Sequence, residues 1–246
     1  MPNKNKMLRV AMISEHGDPL SPLGGQQAGG QNVYVYELAK KLSSMGVKVD
    51  VFTRWESRKA VPIVRFAKRA KVIRLKAGPR VFISKDDFGP LMPEFVERFL
   101  EFCREKRAKY DLIHTHYYYS GWAGLRLSSI LKLPLIHTSH SLGLLKQKAL
   151  GREDLSPKER TDIETEIMQR ATRVVVTSPQ EKLDMVREYK VSNKNAVVIP
   201  PGTNLNNFFP LDKTKSRKKL GIDIDRKIVV FVSKMERRKG GLTFLK

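Results

Sequence analysis

The sequence predicts an α/β protein: a doubly wound, Rossmann-like parallel sheet, followed by the first strand of a second Rossmann-like domain. Three observations carry this prediction. Apolar strand-like runs alternate with helix-like patterns, an order that places helices on both faces of a parallel sheet. A glycine-rich stretch follows the first strand, and histidines mark the ends of two later ones. The 246 residues, 41% of them hydrophobic, suffice for one complete domain and part of another.

The strands are short apolar runs bounded by turn residues. The first seven are Leu8–Ser14, Lys48–Arg54, Lys71–Ala77, Asp111–His116, Pro134–Ser139, Arg173–Ser178 and Ala196–Pro200. A further run, Ile228–Ser233, is expected to be a buried strand that opens a second domain. Because one strand and a turn cannot build a domain, we expect this second domain to be truncated here.

The helices between these strands are predicted from apolar residues at helical spacing. The helix after the glycines ends at Gly46 and carries an apolar face of Val35, Leu38, Ala39, Leu42 and Met45. A helix from about Pro93 carries Phe95, Phe99, Phe102 and Cys103, and we expect this lone cysteine to pack in the core. The Ser-Pro-x-Glu runs at Ser156 and Ser178 each predict an N-cap, a first-turn proline and a returning glutamate.

The chain is strongly basic, with 47 Lys and Arg against 25 Asp and Glu, a net charge of +22. Such a surface attracts nucleotides, phosphosugars and acidic lipids. The excess is concentrated in residues 58–76, 213–219 and 234–239. A solvated basic surface and a membrane-surface role both stay open, whereas nucleic acid is disfavoured because no binding motif accompanies the charge.

Targeting signals and cysteine content limit the expected location of the protein and the kinds of site it can hold. No run of about 18 apolar residues could span a membrane, and the polar N-terminus lacks the core of a secretion signal. We therefore expect a cytoplasmic protein, with peripheral contact to the inner membrane face as an open alternative. The single cysteine excludes an intramolecular disulfide and a cysteine metal cluster.

The segment Gly24–Tyr36 is the most informative part of the chain. Glycines let the backbone approach a ligand, and the free amides at the start of the following helix favour an anion. A nicotinamide enzyme would place Gly-x-Gly-x-x-Gly directly after the strand and an acidic residue after the second strand, but that strand ends in Thr53-Arg54. A P-loop is excluded because no Gly-Lys-Ser/Thr follows. The segment therefore predicts a phosphate-facing corner.

Four of the five histidines lie at strand ends, in the pairs His114, His116 and His137, His140. Ligands of a doubly wound sheet bind at the carboxyl ends of its strands, so these ends are expected to line one crevice. His137 is interpreted as a hydrogen-bonded structural residue and His140 as the site candidate. Zinc at His114 and His116 is disfavoured because no carboxylate or cysteine completes a ligand set.

These motifs together resemble the N-terminal domain of family 4 retaining glycosyltransferases, which have a B-type fold of two Rossmann-like domains. Within that family they are most similar to the sucrose-phosphate synthase and inositol-phosphate N-acetylglucosaminyltransferase branches. The matching segments are residues 29–39, 77–79, 110–117, 134–141 and 198–202. The resemblance implies a first domain for the acceptor (residues 1–205), a basic linker (206–226) and the start of a donor-binding domain (227–246).

The resemblance also implies roles for particular residues. Gly29 and Gly30 would face the donor diphosphate, Gly30 with its amide, and His140 would lie beside the anomeric carbon. Lys234 and Lys239 match the basic turn that clasps the diphosphate, although Lys234 stands where the family has arginine. Predicted acceptor contacts are Asn32, Lys85, Tyr117 and Ser141, and Glu164 is expected to support the site from behind.

The predicted function is hexosyl transfer from a nucleotide-diphosphate sugar to a hydroxyl or sugar-phosphate acceptor, with retention and without a metal or other cofactor. We expect residues 1–246 alone to be inactive. Two alternatives stay open: a non-catalytic module that binds a sugar phosphate, and a membrane-surface transferase with a lipid acceptor.

Overall fold

Eight strands form one sheet in the order β3-β4-β2-β1-β5-β6-β7-β8. The computed structural model describes residues 7–22, 24, 29–151, 156–233 and 239–245. The strands are β1 Arg9–Ile13, β2 Lys48–Arg54, β3 Ile63–Ala67, β4 Ala70–Leu75, β5 Leu112–His116, β6 Leu135–Thr138, β7 Arg173–Val176 and β8 Ala196–Val198. All neighbours are parallel except β3 and β4. The predicted doubly wound sheet is confirmed.

Of the helices in the described residues, six lie between strands of the sheet and two follow the last strand. They are α1 Gly30–Ser44, α2 Met92–Glu105, α3 Tyr118–Leu131, α4 Gly143–Leu150, α5 Arg160–Arg170, α6 Pro179–Glu188, α7 Lys213–Lys219 and α8 Gly241–Phe244. Two 3-10 turns, Lys85–Asp87 and Gly89–Leu91, precede α2. Within the described residues, no helix combines the length and apolarity needed to cross a bilayer.

Two hydrophobic clusters cover the two faces of the sheet. The larger cluster contains Phe52, Phe99 and Phe102, which meet at centroid distances of 4.4 and 5.5 Å around the Phe52 ring. The smaller cluster packs Val35 and Ala39 of α1 against the sheet. The expected apolar faces of both helices are thus confirmed apart from Met45, which is 67% exposed because α1 ends one residue earlier.

The antiparallel edge strand β3 was not expected from the sequence. It pairs with β4 from Ile63↔Ile73 to Ala67↔Ala70. The turn between them makes a hairpin within the basic segment 58–76, where charged residues hide the alternation of an edge strand. Two of these cations face inward: the Arg74 Nε donates to Asp18 at 2.6 Å, and the Lys71 Nζ lies 3.7 Å from Asp50.

The expected strand Ile228–Ser233 is wrong in this structure. Residues 228–233 are not in a strand, and Val229, Val230 and Val232 are 79%, 70% and 89% exposed. An apolar run forms a buried parallel strand only with neighbours on both sides and covered faces. Within the described residues, no strand pairs with this run.

Candidate substrate site at the carboxyl edge of the sheet

The N-terminus of α1 opens at the carboxyl end of β1, as the glycine stretch predicted. Gly29 is the N-cap residue, and the Asn32 side chain folds back so that its Oδ1 accepts from the Gly29 amide at 3.0 Å. The Asn32 Nδ2 donates to the Asp18 carbonyl at 2.9 Å. The Gln31 Nε2 ties the helix to β1 through the Ser14 Oγ at 3.0 Å. Gly30 at the start of the helix is exposed, and the first amides of a helix have no partner within it.

His116 and His140 meet at the ends of β5 and β6. The His116 Nδ1 and the His140 Nε2 are 2.9 Å apart, a hydrogen-bonding distance. Tyr34, one turn into α1, packs edge-on against the His140 ring at a centroid distance of 5.0 Å. The predicted convergence of the two histidine-bearing strand ends is therefore confirmed, and Tyr34 brings α1 to the same place.

Both strand ends carry strained backbone. His140 has φ +59° and Tyr117 has φ +80°, in the region that favours glycine. Such residues cost about 1–3 kcal/mol each and cluster at functional sites. Two of them on adjacent strands, beside an exposed helix N-terminus, mark this edge as the candidate site.

His116 and His140 are neutral at pH 7. Burial, aided by His114 and His16, lowers the pKa of His140 to about 3, and burial together with the neighbouring histidines lowers the pKa of His116 well below its usual range. A neutral imidazole can donate or accept a hydrogen bond at a sugar hydroxyl, but it supplies no fixed positive charge. Positive potential must come from backbone amides and from other cations.

His114 and His137 form hydrogen bonds between the neighbouring strands β5 and β6. The His114 Nε2 lies 3.0 Å from the Thr138 Oγ1, and the His137 Nδ1 lies 2.9 Å from the Thr115 Oγ1. His137 is fully buried, which confirms its structural interpretation. Within the described residues, no group of three or more His, Cys, Asp or Glu side chains is placed to hold a metal ion.

A second group of predicted residues gathers around the Tyr117 ring. The Lys85 Nζ lies 5.6 Å from the ring centroid, and the Arg160 guanidinium lies 5.2 Å from it. The Arg160 Nη2 donates to both the carbonyl and the Oγ of Ser141, at 3.2 and 3.1 Å. Lys85 and Arg160 thus both lie beside the Tyr117 ring, and Ser141 is bound to Arg160; lysine, arginine and hydroxyl side chains are donors suited to a phosphate group.

Arg160 is the cation that sequence reasoning missed. It is 2% exposed, and its Nε donates to the Glu164 Oε1 at 2.7 Å. The Glu164 Oε2 in turn accepts from the Gly143 amide at 2.8 Å and the Tyr189 hydroxyl at 2.5 Å. Glu164 therefore lies behind Arg160 and at the start of α4, the place expected of a supporting residue. The Arg-x-x-x-Glu spacing on one helix face was the available signal.

A buried acid and histidine at the end of β1 were also missed. The Glu15 Oε1 lies 2.8 Å from the His16 Nδ1, and the other Glu15 oxygen accepts from the Ser120 hydroxyl. The His16 ring packs edge-on against Tyr117 at 4.7 Å. Because acid and histidine are adjacent in sequence directly after the first strand, their position was the signal that could have found them.

The remaining predicted site residues are less central. Asn32 lines a cavity of about 630 Å³ together with Pro19, Tyr36, Glu37 and Asn204. Lys239 is exposed, and no hydrogen bond within the described residues joins it to the Gly30 corner. Lys234 lies outside the described residues. Their roles at a diphosphate stay predictions.

A Rossmann-like sheet with a helix N-terminus and cations at its carboxyl edge is the arrangement in which doubly wound proteins bind phosphate-bearing ligands. Residues 28–207 match the Glycosyltransferase Family 4 model. The chain therefore belongs to glycosyltransferase family 4.

Individual relatives agree with this assignment. D-inositol 3-phosphate glycosyltransferase of Corynebacterium jeikeium is 37% identical over 97% of this chain and 58% of its own length. Sucrose-phosphate synthase of Thermosynechococcus elongatus superimposes with a TM-score of 0.85 at 36% identity, over 95% of this chain and 57% of that one. HepE of Anabaena in complex with UDP-glucose, at 18% identity and a TM-score of 0.52 over 87% of this chain and 50% of that one, shares the fold. The chain spans little more than half the length of the relatives it matches.

Proposed function

We propose that this chain is the acceptor-side half of an enzyme that moves a hexosyl group from a nucleotide-diphosphate sugar to a hydroxyl of a phosphorylated acceptor, with retention. The observation that carries the proposal is the placement of two groups of hydrogen-bond donors at one sheet edge. One is the α1 N-terminus at Gly30; the other is the group around Tyr117. His116 and His140 lie at the same edge.

The donor end of the site is assigned to the α1 amides. A helix N-terminus carries about half a positive charge and suits a diphosphate. The names of similar structures support this assignment, since HepE is described with UDP-glucose. Lys234 and Lys239 would add positive charge from the second domain, so the departing diphosphate needs no metal ion.

The acceptor end is assigned to Lys85, Tyr117, Ser141 and Arg160. Relatives named for inositol 3-phosphate and sucrose phosphate support a phosphorylated acceptor. Lys85 also pairs with Asp86 at 2.6 Å, an exchangeable surface contact that a phosphate would replace. Arg160 cannot leave its buried partners and would act from behind, by holding Ser141 in place.

The chemistry follows from these two ends. The acceptor oxygen forms the new bond to the anomeric carbon while the bond from that carbon to the diphosphate breaks, and the hydroxyl proton leaves on the diphosphate. Amides and cations stabilise the developing negative charge, the largest contribution in sites of this kind. His140 would hydrogen-bond the sugar as a neutral group. Residues 206–226 would act as the linker and 227–246 as the start of the donor-binding domain.

A transfer assay tests this proposal. A protein carrying this chain together with a complete second domain is incubated with nucleotide-diphosphate sugars and with phosphorylated or unphosphorylated polyols. We expect product only with phosphorylated acceptors, and the anomeric configuration of the donor should persist in the product by NMR. An inverted product, or equal use of unphosphorylated acceptors, would contradict the proposal.

Two alternative functions are each favoured by one observation. The residues assigned to the acceptor are all among those that the structure describes, whereas no contact within the described residues brings Lys239 to the Gly30 corner. This difference favours a non-catalytic module that binds a sugar phosphate. Binding of a sugar phosphate without turnover in the assay above would select it.

A peripheral membrane contact with a lipid acceptor is favoured by exposed cations of the β3–β4 hairpin, Arg65 and Lys68. Recruitment to anionic vesicles that is lost at high salt would select that reading.

A further inference from the structure

The opposite edge of the sheet holds a second, cationic cavity. It measures about 90 Å³ and lies at the amino ends of β1, β2 and β4, next to the end of α2. Five-residue strands of about 3.3 Å per residue separate it by about 17 Å from the candidate substrate site. Its lining belongs to no part of the function proposed above.

Six cations line this cavity against one carboxylate. The cations are Arg9, Lys48, Lys71, Lys106, Arg107 and Lys109, and the carboxylate is Asp50. The Lys71 Nζ lies 3.7 Å from the Asp50 carboxylate, and the Arg9 backbone amide donates to the Asp111 carboxylate at 2.8 Å. Lys106, Arg107 and Lys109 are exposed at the rim and follow the C-terminus of α2. Such a ring attracts a compact, multiply charged anion.

Asp50 adds a second requirement. It is 2% exposed, and its Oδ2 accepts from the Tyr110 hydroxyl at 2.8 Å. Its Oδ1 is buried and has no hydrogen-bond partner among the residues that the structure describes. A buried acceptor without a donor is costly, by about 1–3 kcal/mol. An anion that suits this cavity must therefore also bring a hydrogen-bond donor.

We propose that this cavity binds a phosphate group that keeps a proton, either free or as a monoester. The six cations hold its charge, and the Asp50 Oδ1 accepts from its P–O–H group. Sulfate has nearly the same shape and charge but carries no proton at pH 7. The cavity therefore prefers phosphate to sulfate, a preference that charge attraction alone does not give.

The test is a calorimetric titration of the chain at pH 7 with inorganic phosphate and with sulfate at matched ionic strength. We expect phosphate to bind at least 10-fold more tightly than sulfate. The double variant Lys106→Glu/Lys109→Glu should lose that binding, whereas Lys219→Glu, an exposed charge reversal on α7, should keep it. Equal binding of both anions, no phosphate binding, or an equal loss in Lys219→Glu would overturn the proposal.

Two further variants separate the sites and the chemistry. Lys85→Ala removes a cation of the carboxyl-edge site, so phosphate binding that survives Lys85→Ala but not the double variant belongs to the amino edge. Asp50→Asn replaces an acceptor by a donor and should admit sulfate, with a thermal melt to verify folding. If Asp50→Asn unfolds, the phosphate-to-sulfate ratio of the unmodified chain decides alone.

Vesicles identify the source of the phosphate. Phosphatidic acid presents a monoester that can keep a proton, whereas phosphatidylglycerol presents a diester that cannot. Binding of free phosphate without vesicle recruitment supports a soluble ligand. Recruitment to phosphatidic acid but not to phosphatidylglycerol supports a lipid headgroup, and equal recruitment to both vesicles contradicts the role of Asp50.

Discussion

At the scale of single residues, Gly30 is a position where function and stability separate. A Cβ built at Gly30 meets no heavy atom of the described residues within 4 Å. A larger side chain therefore fits the fold but occupies the space in front of the α1 amides.

We predict that Gly30→Val abolishes transfer in the enzyme with its second domain and leaves the unfolding temperature of this chain within a few degrees. Gly30→Ala should cause a smaller loss, because its side chain is smaller. Steady-state rates and thermal melts measure the two effects. Full turnover in Gly30→Val would contradict a role for this corner in binding the diphosphate.

Glu164 is a position where stability depends on a buried charge. Because it neutralises the buried Arg160, we predict that Glu164→Gln lowers the free energy of unfolding by about 3–5 kcal/mol. Glu166→Gln, which breaks an exposed pair with Arg170 on the same helix, should cost less than about 1 kcal/mol. Urea unfolding measures both values. Equal losses would contradict the buried network.

At the scale of elements, one motif gave two outcomes. The Ser178 Oγ accepts from the Glu181 amide at 3.1 Å, so Ser178 caps α6 as predicted. Glu181 returns one residue further than expected, to the amide and hydroxyl of Thr177. At the other site, Ser156 accepts instead from the Lys146 Nζ at 2.8 Å, and α5 begins at Arg160. Tertiary partners, which sequence does not reveal, decided between them.

The cap itself is open to test. We predict that Ser178→Ala lowers the free energy of unfolding by about 1 kcal/mol, because the Glu181 amide loses its acceptor. Ser178→Asn, which keeps a capping oxygen, should restore most of that stability. Denaturant melts of the three proteins suffice, and an unchanged value for Ser178→Ala would show that the cap contributes nothing.

Local sequence pattern predicted some features of this protein, and it missed those that depend on tertiary contacts. The parallel strands, the glycine corner and the histidine pairs followed from local pattern and from the rule that ligands bind at carboxyl strand ends. Arg160 and the Glu15–His16 pair were missed because their importance arises from contacts across the sheet edge. β3 was missed because its charged residues hide the edge pattern, and residues 228–233 were misjudged because an apolar run forms a buried strand only where neighbours exist.

At the scale of the whole molecule, the buried histidines make stability depend on pH. Burial lowers the pKa of His114 to about 4, and burial with neighbouring histidines lowers that of His137 and His140 to about 3, against 6.5 for an unfolded histidine. The unfolded chain therefore binds more protons below pH 6.5. Their contribution to stability is full above pH 6.5 and is lost as the pH falls toward about 4.

We predict that the free energy of unfolding falls steadily between pH 6.5 and 4. His137→Gln removes one of these groups from within the sheet, so the slope against pH should be shallower by about one proton. Urea melts across this range at constant ionic strength measure the slope. An identical slope in the variant would contradict a neutral, buried His137.

The central claim, that the carboxyl edge holds a phosphorylated acceptor, is tested most directly by calorimetric titration of this chain with inositol 3-phosphate and with inositol. We predict binding of the phosphorylated compound only, and a loss of affinity of about 10-fold or more in Lys85→Ala, the size of one charge-assisted hydrogen bond. Lys106→Glu/Lys109→Glu should leave a Lys85-dependent binding event in place. Equal affinity for both compounds, or an unchanged affinity in Lys85→Ala, would contradict the account.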